Sequence, residues 1–163
     1  MIRLAVDSSI FFFSFKSRSK DVNPRDVERL LRKLSGDPRV ELYVPITVLG
    51  ESVIECLIGE KKYDGKHDLN ELYRLIELWG ALNLLYLYPN DVVAAVCYRL
   101  SRIKSERCDF RLTDTDMVHL GYALAHEMDY FLTTDKALKH VDPYIPEKAN
   151  LQVIGLEDAK TIV

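Results

Sequence analysis

Short apolar runs alternate along this chain with longer stretches whose apolar residues recur every three or four positions. A short apolar run closed by turn residues reads as a buried strand, and the longer period reads as one face of a helix. Ile2–Val6 is the first run and ends at Asp7; Ile10-Phe11-Phe12-Phe13 after it is too apolar for a loop and predicts a buried helix. Val27, Leu30, Leu31 and Leu34 form a helical face that Asn23-Pro24 opens and Gly36-Asp37-Pro38 stops. Residues 40–44 predict a second strand, followed by a helix from Pro45 and Thr47 that carries Glu51 and Glu55 one turn apart. A polar loop over 59–67 leads to a helix from Asp68 through Leu72, Leu75, Ile76 and Trp79 to Gly80. Leu84–Leu87 is a third strand candidate, 92–103 another helix, and 104–111 a charged link.

The stretch 113–135, TDTDMVHLGYALAHEMDYFLTTD, is the most informative segment. Thr113 with Asp116 three residues on fits a helix-opening box, and Asp114 is a second candidate cap. Gly121, Ala123 and Ala125 keep one helix surface thin, suited to lying close against a sheet. Tyr130-Phe131-Leu132 predicts a short inner strand, and Asp135 lands where it ends, ahead of the helix-like KALKHV. A last strand over 151–154 and a helical tail over 156–163 close the chain. Strands and helices alternate throughout, which predicts an α/β fold with a mainly parallel sheet, one domain over residues 1–163. The carboxyl edge of such a sheet is where sites form.

Composition narrows the class. With 163 residues, 48% hydrophobic content and mixed charges, the chain is that of a globular protein. No apolar run approaches the ~20 residues of a membrane span, and MIRLAVDSS is too short in apolar core for a signal peptide, so a cytoplasmic location is expected. Cys56, Cys97 and Cys108 form no CxxC pair, which points to reduced thiols rather than a disulfide framework or a zinc site. A net charge of −3 argues against coating nucleic acid by bulk charge while leaving room for a local basic rim. Neither GxGxxG nor GxxxxGK[ST] occurs, which removes the common nucleotide-binding loops.

The candidate chemistry lies in four carboxylates: Asp7, Glu51, Asp116 and Asp135. Each has an ordinary structural role open to it: Asp7, Asp116 and Asp135 as helix caps, Glu51 as a solvated helix residue. Together they change the picture. Asp7 follows a run so apolar that its carboxylate belongs at a sheet edge, and Glu51 is the only charge in VPITVLGESV. Acids converging on one strand-end face repel, so at least one carboxyl is expected to be raised in pKa. Such a cluster calls for a cation, and oxygen-only ligands suit Mg²⁺ or Mn²⁺. Ser8 and Thr133 are the hydroxyls placed to hydrogen-bond these carboxylates. His119, one turn after Asp116, is expected at the surface, with contact to a phosphate as the alternative, and Glu55 is either a neighbour of Glu51 or a solvated residue. Lys16, Arg18, Lys20, Arg102, Lys104, Arg107 and Arg111 flank the site segments and are candidates for holding a phosphate backbone.

The four acids in these contexts match a family. AVDSSIFF, VPITVLGESV, TDTDMVHLGYALAHEMDYFLTTD and QVIGL make the chain resemble the PIN-domain metal-dependent ribonucleases, and among them the VapC-like toxins of toxin–antitoxin pairs. The resemblance maps the family's Asp and hydroxylic residue after strand one onto Asp7 and Ser8. Its Glu after strand two falls on Glu51, its helix-opening Asp on Asp116, and its Thr-x-Asp on Thr133 and Asp135. Ser9 stands where the family usually has Asn, which would loosen the site near Asp7, and TDTD allows Asp114 to share the role of Asp116.

The resemblance implies a PIN-like three-layer α/β/α sandwich and a metal-dependent endoribonuclease. Asp7, Asp116 and Asp135 would hold one or two Mg²⁺ or Mn²⁺, and Glu51 would complete the acidic pocket. It also implies RNA as substrate and a small antitoxin as partner. The alternatives are an RNA-processing or structure-specific nuclease of the same fold, and a PIN-like interaction module without turnover. The apolar content of 57–79 (Leu69, Leu72, Tyr73, Leu75, Ile76, Leu78, Trp79) predicts a two-fold homodimer.

Overall fold

The computed structural model describes residues 1–15, 22–62, 70–107, 111–141 and 144–163, with the backbone alone for residues 15, 55, 57–62 and 139. Among the described residues five strands form one sheet: β1 (Ile2–Val6), β2 (Val40–Pro45), β3 (Leu84–Leu87), β4 (Tyr130–Leu132) and β5 (Gln152–Ile154). Their order is β3-β2-β1-β4-β5, and every neighbouring pair is parallel. The helices are α1 (Ser8–Phe15), α2 (Pro24–Gly36), α3 (Ile46–Lys62), α4 (Asn70–Ala81), α5 (Asp91–Arg107), α6 (Asp114–Ala125) and α7 (Leu156–Ala159).

β1 sits at the centre of the sheet, and its side chains divide between two cores. Leu4 and Val6 pack on one face with Phe11, Leu31, Leu34, Leu75 and Ala159. Ala5 lies on the opposite face with Leu100, Leu120, Tyr122 and Phe131. That alternation is the two-residue period of a strand covered on both sides. Each buried aliphatic or aromatic side chain contributes about 1.5–3 kcal/mol of transfer free energy, so the two faces together dominate the fold. The Phe11 and Trp79 rings pack edge to face, with centroids 5.9 Å apart and planes at 89°, joining α1 to α4.

From β1 the chain moves outward through β2 to β3, then returns across the sheet to β4 on the other side of β1. Crossovers in parallel sheets are right-handed, so reversing direction puts α1–α4 on one face and α5 with α6 on the other. The order of strands therefore switches between β1 and β4. In open α/β sheets this is where a crevice opens beyond the carboxyl ends. Asp7 follows β1 there, and Thr133 follows β4.

Local signals explain the helix starts. Asn23 accepts a hydrogen bond from Arg25 N at 3.0 Å, with Pro24 in the first turn. Thr113 and Asp116 form the reciprocal capping box that their spacing predicts.

Three expectations change. Residues 59–62 continue α3 as helix instead of opening a loop, because Glu60, Lys61 and Lys62 are good helix formers; Asp68 lies outside the described residues. α5 runs on through most of the charged link to Arg107. Gly121 faces α5 rather than the sheet: a Cβ there would collide with Cys97 Sγ. Cys56 and Cys97 are free thiols, and Cys108 lies outside the described residues. Among the described residues no helix is long and apolar enough to cross a membrane.

Candidate active site

Asp7 is the first residue beyond β1, and its N–H extends the ladder by donating to Leu132 O at 3.0 Å. Only 2% of the residue is exposed. An ionised carboxylate has only acceptor sites, about four of them, and donors from three elements meet some of these here. Ser9 Oγ donates to Asp7 Oδ2 at 2.7 Å from the first turn of α1. Thr133 Oγ1 donates to the same oxygen at 2.8 Å from the end of β4. His119 Nδ1 lies 3.0 Å from Asp7 Oδ1, on α6.

Burial alone pushes the Asp7 carboxyl up, but the hydrogen bond and charge of His119, with the hydroxyls of Ser9 and Thr133, outweigh it. The result is a pKa below the ordinary carboxylate value. Asp7 is thus held as an anion in the interior. The hydroxyl from this turn belongs to Ser9, whereas Ser8, which was expected to supply it, is buried at the start of α1 without a bond to Asp7. A strand-to-helix turn points successive side chains in different directions, so adjacency to Asp7 in sequence does not place Ser8 beside its carboxylate. Ser9 also accepts from Thr134 N at 3.1 Å, so a serine at this position ties the β1 and β4 ends together rather than loosening them.

Asp116 opens α6. Its Oδ2 accepts from Thr113 N at 2.8 Å, and its own N–H donates to Thr113 Oγ1 at 3.1 Å. Burial raises its carboxyl pKa, the Thr113 hydrogen bonds oppose this, and the charges of Asp135 and Asp7 raise it further. The repulsion expected among clustered acids therefore falls on Asp116. Asp135 caps the turn after β4, its Oδ1 accepting from Ala137 N at 2.6 Å and Leu138 N at 3.4 Å. The predicted helix over KALKHV is reduced to a 3₁₀ turn at Leu138–His140. Asp114 takes no part in the pocket: its side chain is 96% exposed and pairs with Lys104 Nζ at 2.7 Å. A one-turn helix start points residues two apart to different sides, so only one of the two acids can face the sheet edge.

Glu51 stands on α3, across from Asp7, with its side chain 32% exposed. Its Oε2 is buried and lies 3.7 Å from His119 Nε2, also buried, and neither atom has a hydrogen-bond partner among the described residues. His119 is 0% exposed, not the surface residue expected, because it falls on the α6 face with Asp116, one turn on, and Met117 and Leu120 bury its neighbours. The signal for this was its three-residue offset from Asp116 in an otherwise apolar helix. Glu55, Lys16, Arg18 and Lys20 have no described side chains. Of the other basic candidates, Arg102 pairs with Glu106 at 3.2 Å and Lys104 with Asp114.

The donor set is oxygen-rich, as a hard divalent cation requires. The raised Asp116 carboxyl and the unpartnered Glu51 Oε2 are sites that a cation would relieve. Among the described residues, however, no three His, Cys, Asp or Glu side chains stand close enough to enclose a metal ion. The acids share one electrostatic field without forming a coordination sphere.

The sequence matches the family model of the PIN domain over residues 4–143. The chain belongs to the PIN domain family. Solved structures share this PIN fold at low identity. VapBC2 from Rickettsia felis, bound to a DNA fragment from its promoter, matches at 12% identity and TM-score 0.61, with 94% of this chain and 98% of that one covered. VapBC-5 from Mycobacterium tuberculosis, of the VapBC toxin–antitoxin family, matches at 17% identity and TM-score 0.61, covering 96% and 100%. PAE2754 from Pyrobaculum aerophilum gives 15% identity and TM-score 0.58, covering 99% and 94%. At such identities the likeness is one of fold. No curated protein matches the sequence. In this PIN domain the acidic pocket occupies the switch point between β1 and β4.

Proposed function

We propose that the chain is a toxin-type PIN nuclease, a Mg²⁺- or Mn²⁺-dependent endoribonuclease that hydrolyses RNA phosphodiester bonds. The observation that carries this is Asp7: a buried carboxylate held ionised by donors from three elements, with the charges of Asp135 and Asp7 felt at Asp116. A structural cap has no need of such a setting. Asp116 through the oxygen not used in its cap, Asp135 likewise, and Asp7 would hold the cation, with Glu51 at the pocket's edge. When bound, the cation supplies Lewis-acid stabilisation of the reacting phosphodiester. The chain's own residues supply the rest. Asp7 is held in orientation by Ser9 and Thr133 on Oδ2 and by His119 on Oδ1, so it need not reorganise during the reaction. In Asp116 and Asp135 one carboxylate oxygen serves the cap, Oδ2 and Oδ1 respectively, and the other takes no part in it.

The toxin assignment rests on the VapBC complexes among the relatives of this fold. It brings with it a small antitoxin as partner and a cytoplasmic setting. The homodimer belongs to the same proposal: Ile54, Tyr73 and Ile76 are 54%, 59% and 51% exposed on α3 and α4, whereas Leu75 and Leu78 are buried in the core and Leu69 lies outside the described residues. Light scattering should give twice the monomer mass.

The deciding experiment is cleavage of a mixed RNA pool by the purified protein with Mg²⁺, with Mn²⁺ and with EDTA. Metal-dependent cleavage that Asp7→Asn abolishes is expected. Cleavage that persists in EDTA, or that Asp7→Asn leaves at the wild-type rate, overturns the proposal.

A further inference from the structure

Among the described residues, His119 is a fully buried ionisable side chain beside these acids that the four-acid mechanism leaves without a role. Its imidazole lies between two of those acids. One edge, Nδ1, is 3.0 Å from Asp7 Oδ1; the other, Nε2, is 3.7 Å from Glu51 Oε2. Because the ionised Asp7 carboxylate can only accept, the Nδ1 proton is assigned to the His119–Asp7 bond. That leaves Nε2 aimed at Glu51, and both Nε2 and Oε2 are buried without a hydrogen-bond partner. Two unpartnered polar atoms facing each other in an interior are costly unless the arrangement serves the site. Asp7, His119 and Glu51 come from the end of β1, from α6 and from α3, so the ring joins elements on both faces of the sheet.

We propose that His119 is the positioning residue of this pocket, a rigid imidazole spacer that orients the Asp7 carboxylate on one edge and sets its separation from Glu51 on the other. The inference rests on the metal-dependent function proposed above. Its physical basis is that a carboxylate ligand is oriented by the donor behind it, and loss of such a donor weakens metal binding about 10- to 100-fold. Ser9 and Thr133 restrain Asp7 Oδ2 only, so Oδ1 depends on His119. Among the described residues, His119 is within ion-pairing distance of both acids.

The test compares wild type, His119→Leu, His119→Asn and Glu51→Gln by two readouts. One is Mn²⁺ affinity from the paramagnetic resonance of free Mn²⁺. The other is the long-range ¹H–¹⁵N spectrum of the imidazoles in the metal-free protein. His119→Asn retains a donor near the Nδ1 position and removes the edge facing Glu51. We expect the spectrum to show an Nδ1-protonated ring whose Nε2 resonance moves in Glu51→Gln. His119→Leu should weaken Mn²⁺ binding about 10- to 100-fold, and His119→Asn should recover most of the loss. Glu51→Gln should change Mn²⁺ affinity less in the Asn background than in wild type. A folded His119→Leu that binds Mn²⁺ as wild type overturns the proposal, as does an Nε2 resonance indifferent to Glu51→Gln. If His119→Leu does not fold, the Asn and Gln variants and their combination decide: additive effects overturn the proposal. A wild-type protein that binds no Mn²⁺ refutes the metal-dependent function instead, and the spectra then still show whether the ring spans the two carboxylates.

Discussion

Thr133 Oγ1 donates to Asp7 Oδ2 at 2.8 Å across 126 residues of chain, both groups buried at adjacent strand ends. Its acceptor is charged, which makes it stronger than a neutral pair at the same distance. It couples the register of β1 with β4 to the orientation of the central carboxylate, since Leu132, just before Thr133, pairs with Val6, just before Asp7. Thr133→Val keeps the shape and removes the donor. It should lower stability by about 1–3 kcal/mol, the usual consequence of taking one hydrogen bond from a buried charged group, whereas Thr133→Ser should lie closer to wild type. Urea denaturation of the metal-free proteins measures both.

Asp116 separates capping from catalysis. Asn at this position still presents an oxygen to Thr113 N and keeps its own N–H on Thr113 Oγ1. It also removes a charge that burial, Asp135 and Asp7 all disfavour. Asp116→Asn should therefore leave metal-free stability within about 0.5 kcal/mol of wild type, or raise it slightly. Mn²⁺-dependent cleavage should fall by more than about 100-fold, as loss of a metal-holding or charge-stabilising group typically does. Activity unchanged beside unchanged stability would make Asp116 a cap and nothing more.

A pH dependence sits away from the site, at the end of α2. Side-chain hydrogen bonds from Arg39 hold the Asp37 carboxyl down at about 2, from an ordinary value of 3.8. A carboxyl lowered in the folded state stabilises above its unfolded pKa and loses that contribution as pH falls through the folded one. Asp37→Asn should thus lower the melting temperature at pH 6, with the gap to wild type narrowing from pH 4 towards pH 2. Melting curves over that range check the sign; a gap that widens in acid contradicts it.

Gly121 and Cys97 fix how closely α5 and α6 approach. Alanine at 121 favours the helix by up to about 1 kcal/mol, but its Cβ meets Cys97 Sγ. Overpacking of this kind costs about 1–3 kcal/mol, so Gly121→Ala should be destabilising on balance. Adding Cys97→Ala removes the obstructing sulfur and should recover most of the loss. Because α6 carries Asp116 and His119, the single variant should also weaken Mn²⁺ binding, and the pair should restore it.

Much of this protein is legible in the sequence because the signals are local. Apolar runs and helical periods placed β1 to β5 and the helices between them, and the Thr113 box placed the start of α6. Asp7, Asp116 and Asp135 follow from the same logic, since strand ends and helix starts are set by neighbours a few residues away. Tertiary structure alone decided what those carboxylates meet. Ser9 rather than Ser8 reaches Asp7, because the direction of a side chain in a strand-to-helix turn depends on backbone torsions that adjacency does not encode. Asp114 and Asp116 part company, one to Lys104 in solvent and one to the sheet edge. His119 became interior and joined Asp7 to Glu51 once α6 packed over the end of β1, 112 residues away in sequence. Periodicity tells which residues share a face of one helix; which groups face them across the core is set by how the sheet and both helix layers close together.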